Sequence, residues 1–171
     1  NSFVRGLRNG SKQLLAANLD QVLIVIAPEP APSKDLLERY LVAVHSLEIA
    51  PVIVVNKCEL LAQDPDKVQT PFSRLNAYQE LGYSVLRTSC KAEPGLQGLP
   101  ALLDGKTSIL VGQSGVGKSS LVNQLVPDLE LQTQALSHST GKGKHTTTST
   151  MMYQLPTGGR LIDSPGVWEY G

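Results

Sequence analysis

The stretch Gly112-Gln113-Ser114-Gly115-Val116-Gly117-Lys118-Ser119 constrains this chain more than any other, because it functions only between the end of a strand and the start of a helix. Both neighbours are legible. Thr107-Ser108-Ile109-Leu110-Val111 is an apolar, β-branched run ahead of it, and Lys118 to Leu125, stopping before Pro127, reads as the helix behind it. Glycines let successive backbone N–H groups turn toward phosphate oxygens, and the helix N-terminus adds its positive end. Lys118 then meets the β- and γ-phosphates, and the Ser119 hydroxyl offers itself to Mg²⁺. The candidate phosphate site is taken to run from Gly112 through Ser120. An ordinary Gly/Ser surface loop is the bland alternative, and the flanking strand and helix weigh against it.

The rest of the chain repeats the strand-then-helix order. Gln21 to Ala27 is a continuous apolar run, the mark of a strand buried on both faces of a parallel sheet. Pro28, Pro30 and Pro32 break it, and Leu36, Leu37, Tyr40, Leu41, Val44 and Leu47 follow at helical spacings of three and four. A second strand is expected at Pro51 to Val55, then an amphipathic helix over roughly 68–81, blurred by Pro65 and Pro71 and closed by Gly82. A third strand is expected at Tyr83 to Thr88, with a short helical piece at 96–103 after the Pro94-Gly95 turn. Residues 129–150 lose all periodicity and read as a mobile loop, and Met151 to Leu155 and Arg160 to Ile162 read as a hairpin through Pro156-Thr157-Gly158-Gly159. The sum is an α/β domain built on a doubly wound, mostly parallel sheet with one antiparallel hairpin strand.

Composition removes several function classes. At 171 residues with 41% hydrophobic and 18% charged side chains, the chain can bury one core and is no disordered polyelectrolyte. Lys plus Arg equals Asp plus Glu at 15 each, so any nucleic-acid contact must be local rather than spread over the surface. Cys58 and Cys90 have neither disulfide-framework nor metal-ligand spacing and read as reduced thiols. The longest apolar run, Val22 to Pro28, is far short of the roughly 20 residues that cross a bilayer, so a soluble, cytoplasmic protein with no membrane association is expected. The unpatterned start and the abrupt stop suggest a piece of a longer protein, with residues 1–16 a remnant or linker and 17–171 the domain proper.

Three further segments carry chemistry. Leu161-Ile162-Asp163-Ser164-Pro165-Gly166 ends an apolar strand on an acid that can hold Mg²⁺ through water beside Ser119, while Gly166 can turn its N–H onto the γ-phosphate. Asn56-Lys57-Cys58-Glu59 follows its strand directly. The Glu59 carboxylate can accept the N1–H and exocyclic amino group of guanine, with Asn56 and the Lys57 stem framing the ring; adenine would leave that acid unpaired. Taken alone this tetrapeptide is a capped surface turn as readily as a base site. Ser89-Cys90-Lys91 supports the base reading, because the Cys90 N–H can be aimed at the guanine carbonyl.

Together these elements resemble the translational GTPase class, whose usual order is phosphate loop, switch threonine, Asp-x-x-Gly, Asn-Lys-x-Asp and Ser-Ala-Lys. Here the last two come first. With Gly141-Lys142-Gly143-Lys144-His145-Thr146-Thr147-Thr148, the order is similar to the circularly permuted ribosome small subunit-dependent GTPase A family of bacteria, over about Ala17 to Gly171. Permutation is permissible because domain termini lie at the surface and near each other.

The resemblance implies GTP/GDP and Mg²⁺ as ligands, a role in late maturation of the small ribosomal subunit, contact with that subunit and its rRNA, and hydrolysis stimulated by it. It also implies an N-terminal barrel and a C-terminal zinc-binding domain outside this chain. It further suggests His145 as the residue that orients water, and Thr147, with Thr146 as rival, as the one that closes on Mg²⁺ and the γ-phosphate. Lys142 and Lys144 are solvated charges on the economical reading, with rRNA phosphates the alternative. Two departures stand out: Glu59 replaces the usual Asp, and Val167 stands where Ras-like enzymes carry a water-orienting Gln, so slow intrinsic turnover is expected. A monomer is expected. The rival functions are an ATP-dependent kinase or ATPase on the same phosphate loop, and a nucleotide-dependent binding module that does not hydrolyse.

Overall fold

The β-branched runs form strands and the spaced leucines form helices, in the alternating order that demands a parallel sheet. The computed structural model describes residues 19–129 and 151–163, and the backbone of 2–6 and 12–17. Six strands make the main sheet: β3 (Gln21–Ile26), β4 (Ala50–Val55), β5 (Ser84–Arg87), β6 (Thr107–Gly112), β7 (Met151–Gln154) and β8 (Arg160–Asp163). Their spatial order is β5-β4-β3-β6-β8-β7, and every pair is parallel except the β7–β8 hairpin. The expected mixed sheet is therefore present, hairpin included.

Alternation along β3 sorts the core into two layers. Val22, Ile24 and Ile26 face one side, where helices α1 (Leu36–His45) and α3 (Leu75–Glu80) pack through Leu37, Tyr40, Val44 and Leu75. Leu23, Val25 and Ala27 face the other, under α4 (Leu99–Leu103) and α5 (Lys118–Leu125) through Leu99, Leu103, Leu121 and Leu125. All six β3 side chains are buried, and each aliphatic one contributes about 1.5–3 kcal/mol of burial free energy. Gln21, the polar member, is satisfied: its amide donates to Ser108 Oγ at 2.8 Å and to the Leu102 carbonyl at 3.0 Å.

Three local expectations change. The helix expected over 68–81 is a 3₁₀ turn, Phe72–Arg74, followed only by α3, because Pro71 lacks the N–H a longer helix would need. Gly82 does end it, at φ +97°. A helix absent from the sequence reading, α2 (Glu59–Gln63), begins at Glu59 itself. The supposedly unpatterned start contains an antiparallel pair, β1 (Ser2–Gly6) with β2 (Lys12–Ala17), in a two-stranded sheet of its own.

Candidate functional site

A doubly wound sheet places its functional loops beyond the carboxyl ends of the strands, where the winding direction reverses. Here the chain steps outward from β3 to β4 and β5, then returns to β6 on the opposite side of β3. The crevice lies there. The glycine-rich loop leaves β6, and Gly112 is pressed against β3: a Cβ on it would lie 2.5 Å from the Val25 carbonyl oxygen. A cleft of about 480 Å³ opens beyond it, lined by Lys57, Lys91, Gln113, Ser114, Gly115, Gly117, Lys118, Ser119, Ser120 and Asp163. That volume suits a small polar ligand. Three ammonium groups face one carboxylate in this lining, so the cleft favours an anion.

The phosphate loop behaves as its sequence demands. Gly117 caps α5 at φ +94°, a left-handed conformation that favours glycine. Lys118 Nζ donates to the Gly112 carbonyl and, at 3.4 Å, to that of Gln113, which holds the ammonium at the loop's head. Ser114, Ser119 and Ser120 are exposed to the cleft.

The segments Asn56–Glu59 and Ser89–Lys91 are held differently, on the buried side chains of Asn56 and Ser89. Asn56 is 2% exposed; its Nδ2 donates to the Val116 carbonyl at 2.9 Å, and its Oδ1 accepts from Thr88 Oγ1 at 3.0 Å. One amide thus joins the loop after β4 to the phosphate loop and to the end of β5. A Cβ on Gly117 would collide with the same Asn56 amide. Lys57, in a left-handed conformation at φ +54°, sends Nζ to the Gly115 carbonyl at 2.8 Å and the Glu29 carbonyl at 3.0 Å. Such a backbone strain of about 1–3 kcal/mol persists only where the surroundings enforce it.

Glu59 does not line the cleft; it opens α2 two residues after Lys57, which does. Its charge acts on the thiols of both Cys58 and Cys90, which burial first and Glu59 second push up from the usual thiol range. Glu59 Oε2 is buried and has no hydrogen-bond partner among the described residues, a costly arrangement for a carboxylate oxygen. Gln113 Oε1 is in the same position. Asn56, Cys58, Ser89, Cys90, Gly112 and Val116 do not line the cleft either. Ser89 Oγ is spent inside its own loop, accepting from Lys91 N–H at 3.2 Å and Ala92 N–H at 3.0 Å.

Asp163 ends β8 and lines the cleft with Ser119. Burial pushes its carboxyl pKa up, and the Lys118 charge pulls it partly back. A hydroxyl and a carboxylate are hard oxygen donors, and among the described residues no cluster of three His, Cys, Asp or Glu could cage a metal. That donor set fits Mg²⁺, which keeps water and phosphate oxygens in its shell rather than taking a full protein cage. His145, Thr146, Thr147, Gly166, Val167, Lys142 and Lys144 lie outside the described residues.

Sequence reasoning missed Thr88, Glu29 and Gln124, whose Nε2 donates to the Cys90 carbonyl at 3.2 Å. None belongs to a motif, and each acts across 28 to 34 positions of chain.

The winding, the glycine-rich loop at the reversal point and the cationic cleft define a P-loop nucleotide-binding domain. The chain matches the RsgA GTPase family over residues 1–171, and it belongs to that family. Relatives named small ribosomal subunit biogenesis GTPase RsgA include those of Chromohalobacter salexigens, 49% identical over 162 residues, and Marinobacter nauticus, 48% identical over 165. Each comparison covers 95% of this chain but 47% and 46% of the relative, so the chain spans about half their length. Among solved structures, YjeQ from Thermotoga maritima aligns at TM-score 0.60 with 28% identity over 95% of this chain and 58% of its own. YloQ, described as a circularly permuted GTPase, aligns at 0.65 with 26% identity over 98% and 56%. The permuted order read from the motifs matches that architecture.

Proposed function

We propose that this chain is the GTP-binding and GTP-hydrolysing unit of a protein acting in late maturation of the small ribosomal subunit. One observation carries the base assignment: a buried Glu59 carboxylate oxygen lacks a partner among the described residues, two positions after the Lys57 that lines the cleft. A ligand with two adjacent N–H donors answers that need, and guanine has them where adenine does not.

In this scheme the phosphate-loop amides and Lys118 bind the triphosphate, and Lys57 and Lys91 flank the base. Ser119, Asp163 and Thr147 would hold Mg²⁺, whose chemistry is to neutralise charge on the phosphate oxygens during transfer. Gly166 senses the γ-phosphate, and His145 orients the attacking water. Loss of the γ-phosphate releases Thr147 and Gly166 together, the switching step. Intrinsic turnover is slow and rises on the small subunit, consistent with the names of the relatives; rRNA contact, a monomeric state and a cytoplasmic location complete the proposal. Residues 1–16 belong with a further unit or linker, and zinc with a part of the family outside this chain.

Competition between GDP and ADP for the purified protein, followed by phosphate release with and without small ribosomal subunits, tests the scheme. Guanine preference that disappears in Glu59→Gln, with ADP binding unchanged, is the expected result. Equal affinity for the two diphosphates would favour the ATPase reading, and guanine binding without any phosphate release would favour the binding module.

A further inference from the structure

The two ends of the cleft are joined by a side chain that belongs to neither motif. Gln124 lies on the exposed face of α5, the helix that begins at Lys118, and its amide reaches the Cys90 carbonyl. That carbonyl shares a peptide plane with the Lys91 N–H, which donates to Ser89 Oγ at 3.2 Å. One rigid unit is therefore held at both ends.

The neighbouring donors are spent as well. Ala92 N–H goes to Ser89 Oγ at 3.0 Å and Ser89 N–H to the Gly95 carbonyl at 2.9 Å. Cys90 N–H alone in this run meets no acceptor among the described residues. A turn that commits its other amides and holds one back presents that one outward.

We propose that Gln124 is a positioning residue for base recognition: by holding the peptide that follows Cys90 it restricts rotation at the Cys90 Cα, and so helps to aim the uncommitted Cys90 N–H, which lies on the preceding Ser89–Cys90 peptide, at the carbonyl on the six-membered ring of guanine. The inference rests on the GTP reading above. It makes the helix of the phosphate loop the physical support of the base loop, so the two halves of one nucleotide are read by a single connected element. Without the Gln124 donor the peptide keeps only its Ser89 tie, and the plane is free to rotate.

The test uses Gln124→Met, which keeps length and removes the donor, in the intact protein. Calorimetry would measure affinities for GDP, inosine diphosphate, 6-thioguanosine diphosphate and ADP. Loss of one exposed hydrogen bond should weaken GDP and inosine diphosphate alike, by about three- to tenfold. The thio-analogue, whose sulfur is a poor acceptor, should lose clearly less, and ADP and the ligand-free melting temperature should stay as they were. An equal loss for all three guanine-type ligands, or no loss for GDP, overturns the proposal. A wild-type protein that does not prefer GDP to ADP would overturn the GTP reading itself, and this inference with it.

Discussion

On the proposed function the cleft has a phosphate end and a base end, and the two are built on opposite plans. At the phosphate end Ser114, Ser119 and Ser120 are small and exposed, and recognition is assigned to Lys118 and to backbone amides that glycines set free. At the base end the groups assigned to recognition, the Glu59 carboxylate and the Cys90 N–H, are set on a buried polar frame of Asn56, Thr88 and Ser89, each no more than 2% exposed. Backbone recognition needs only a loop conformation, which a short sequence can specify. Base recognition, as proposed, needs a scaffold, which several distant segments must supply. Substitution should therefore separate ligand affinity from fold stability at one end and join them at the other.

The largest effect is expected at Lys118. Lys118→Ala removes the ammonium that faces the phosphates, and nucleotide affinity should fall about 100-fold or more, with a circular dichroism spectrum like that of the unaltered protein. A parallel fall in the ligand-free melting temperature would break the contrast, since affinity and fold would then not separate at this end.

Next comes Asn56→Ala. It strips partners from the Val116 carbonyl and the Thr88 hydroxyl, two buried groups, and should cost about 2–4 kcal/mol of stability. In a chain of this size that lowers the melting temperature by roughly 5–15 °C, read by thermal denaturation without nucleotide. Ser119→Ala is its counterpart: Mg²⁺-dependent binding should drop while stability moves by less than about 0.5 kcal/mol. If both variants melt alike, the two ends are not built differently.

A smaller effect, remote from the cleft, calibrates these. Tyr78 donates to Glu38 at 2.8 Å between α3 and α1, and its phenol is pushed up to about 12, by burial first and then by that carboxylate. Tyr78→Phe should cost about 1 kcal/mol and leave nucleotide affinity unchanged. A change in affinity would mean that the helical layer couples to the site.

The last effect has the opposite sign. Burial raises the Asp163 pKa above 3.8, so the folded protein keeps this proton to a higher pH than the unfolded chain does. The ionised form is then a cost of the fold, and stability from this group falls as pH rises through the window just above 3.8. Asp163→Asn should accordingly raise the ligand-free melting temperature slightly at neutral pH and not at pH 3, while Mg²⁺-dependent nucleotide affinity falls. A lower melting temperature at neutral pH would show that the Lys118 charge outweighs burial.

The fold was largely legible. Strand β3 announces itself as an unbroken apolar run, and the buried face of α1 is the set Leu36, Leu37, Tyr40, Leu41 and Val44 that its spacing marked. The misses have local causes. Pro71 shortened α3 to Leu75–Glu80, and α2 starts at the last residue of the Asn56–Glu59 motif, where no helix was expected. The candidate site was legible at the phosphate end and only half legible at the base end: Asn56 and Lys57 stand out in the sequence, but Thr88, Glu29 and Gln124, which hold the base-side loops, do not.

What the sequence by itself determined is the order and type of the elements and the identity of the phosphate loop, because apolar periodicity and glycine spacing act over a few residues. Only the tertiary structure decided that Asn56 would clamp the phosphate loop, that Lys57 would bridge to Glu29, and that Gln124 would hold the Cys90 carbonyl. Those bonds join segments separated by 28 to 60 positions. Whether two such groups meet depends on strand order, and strand order is fixed by how the two faces of the sheet are covered, not by any residue near the bond.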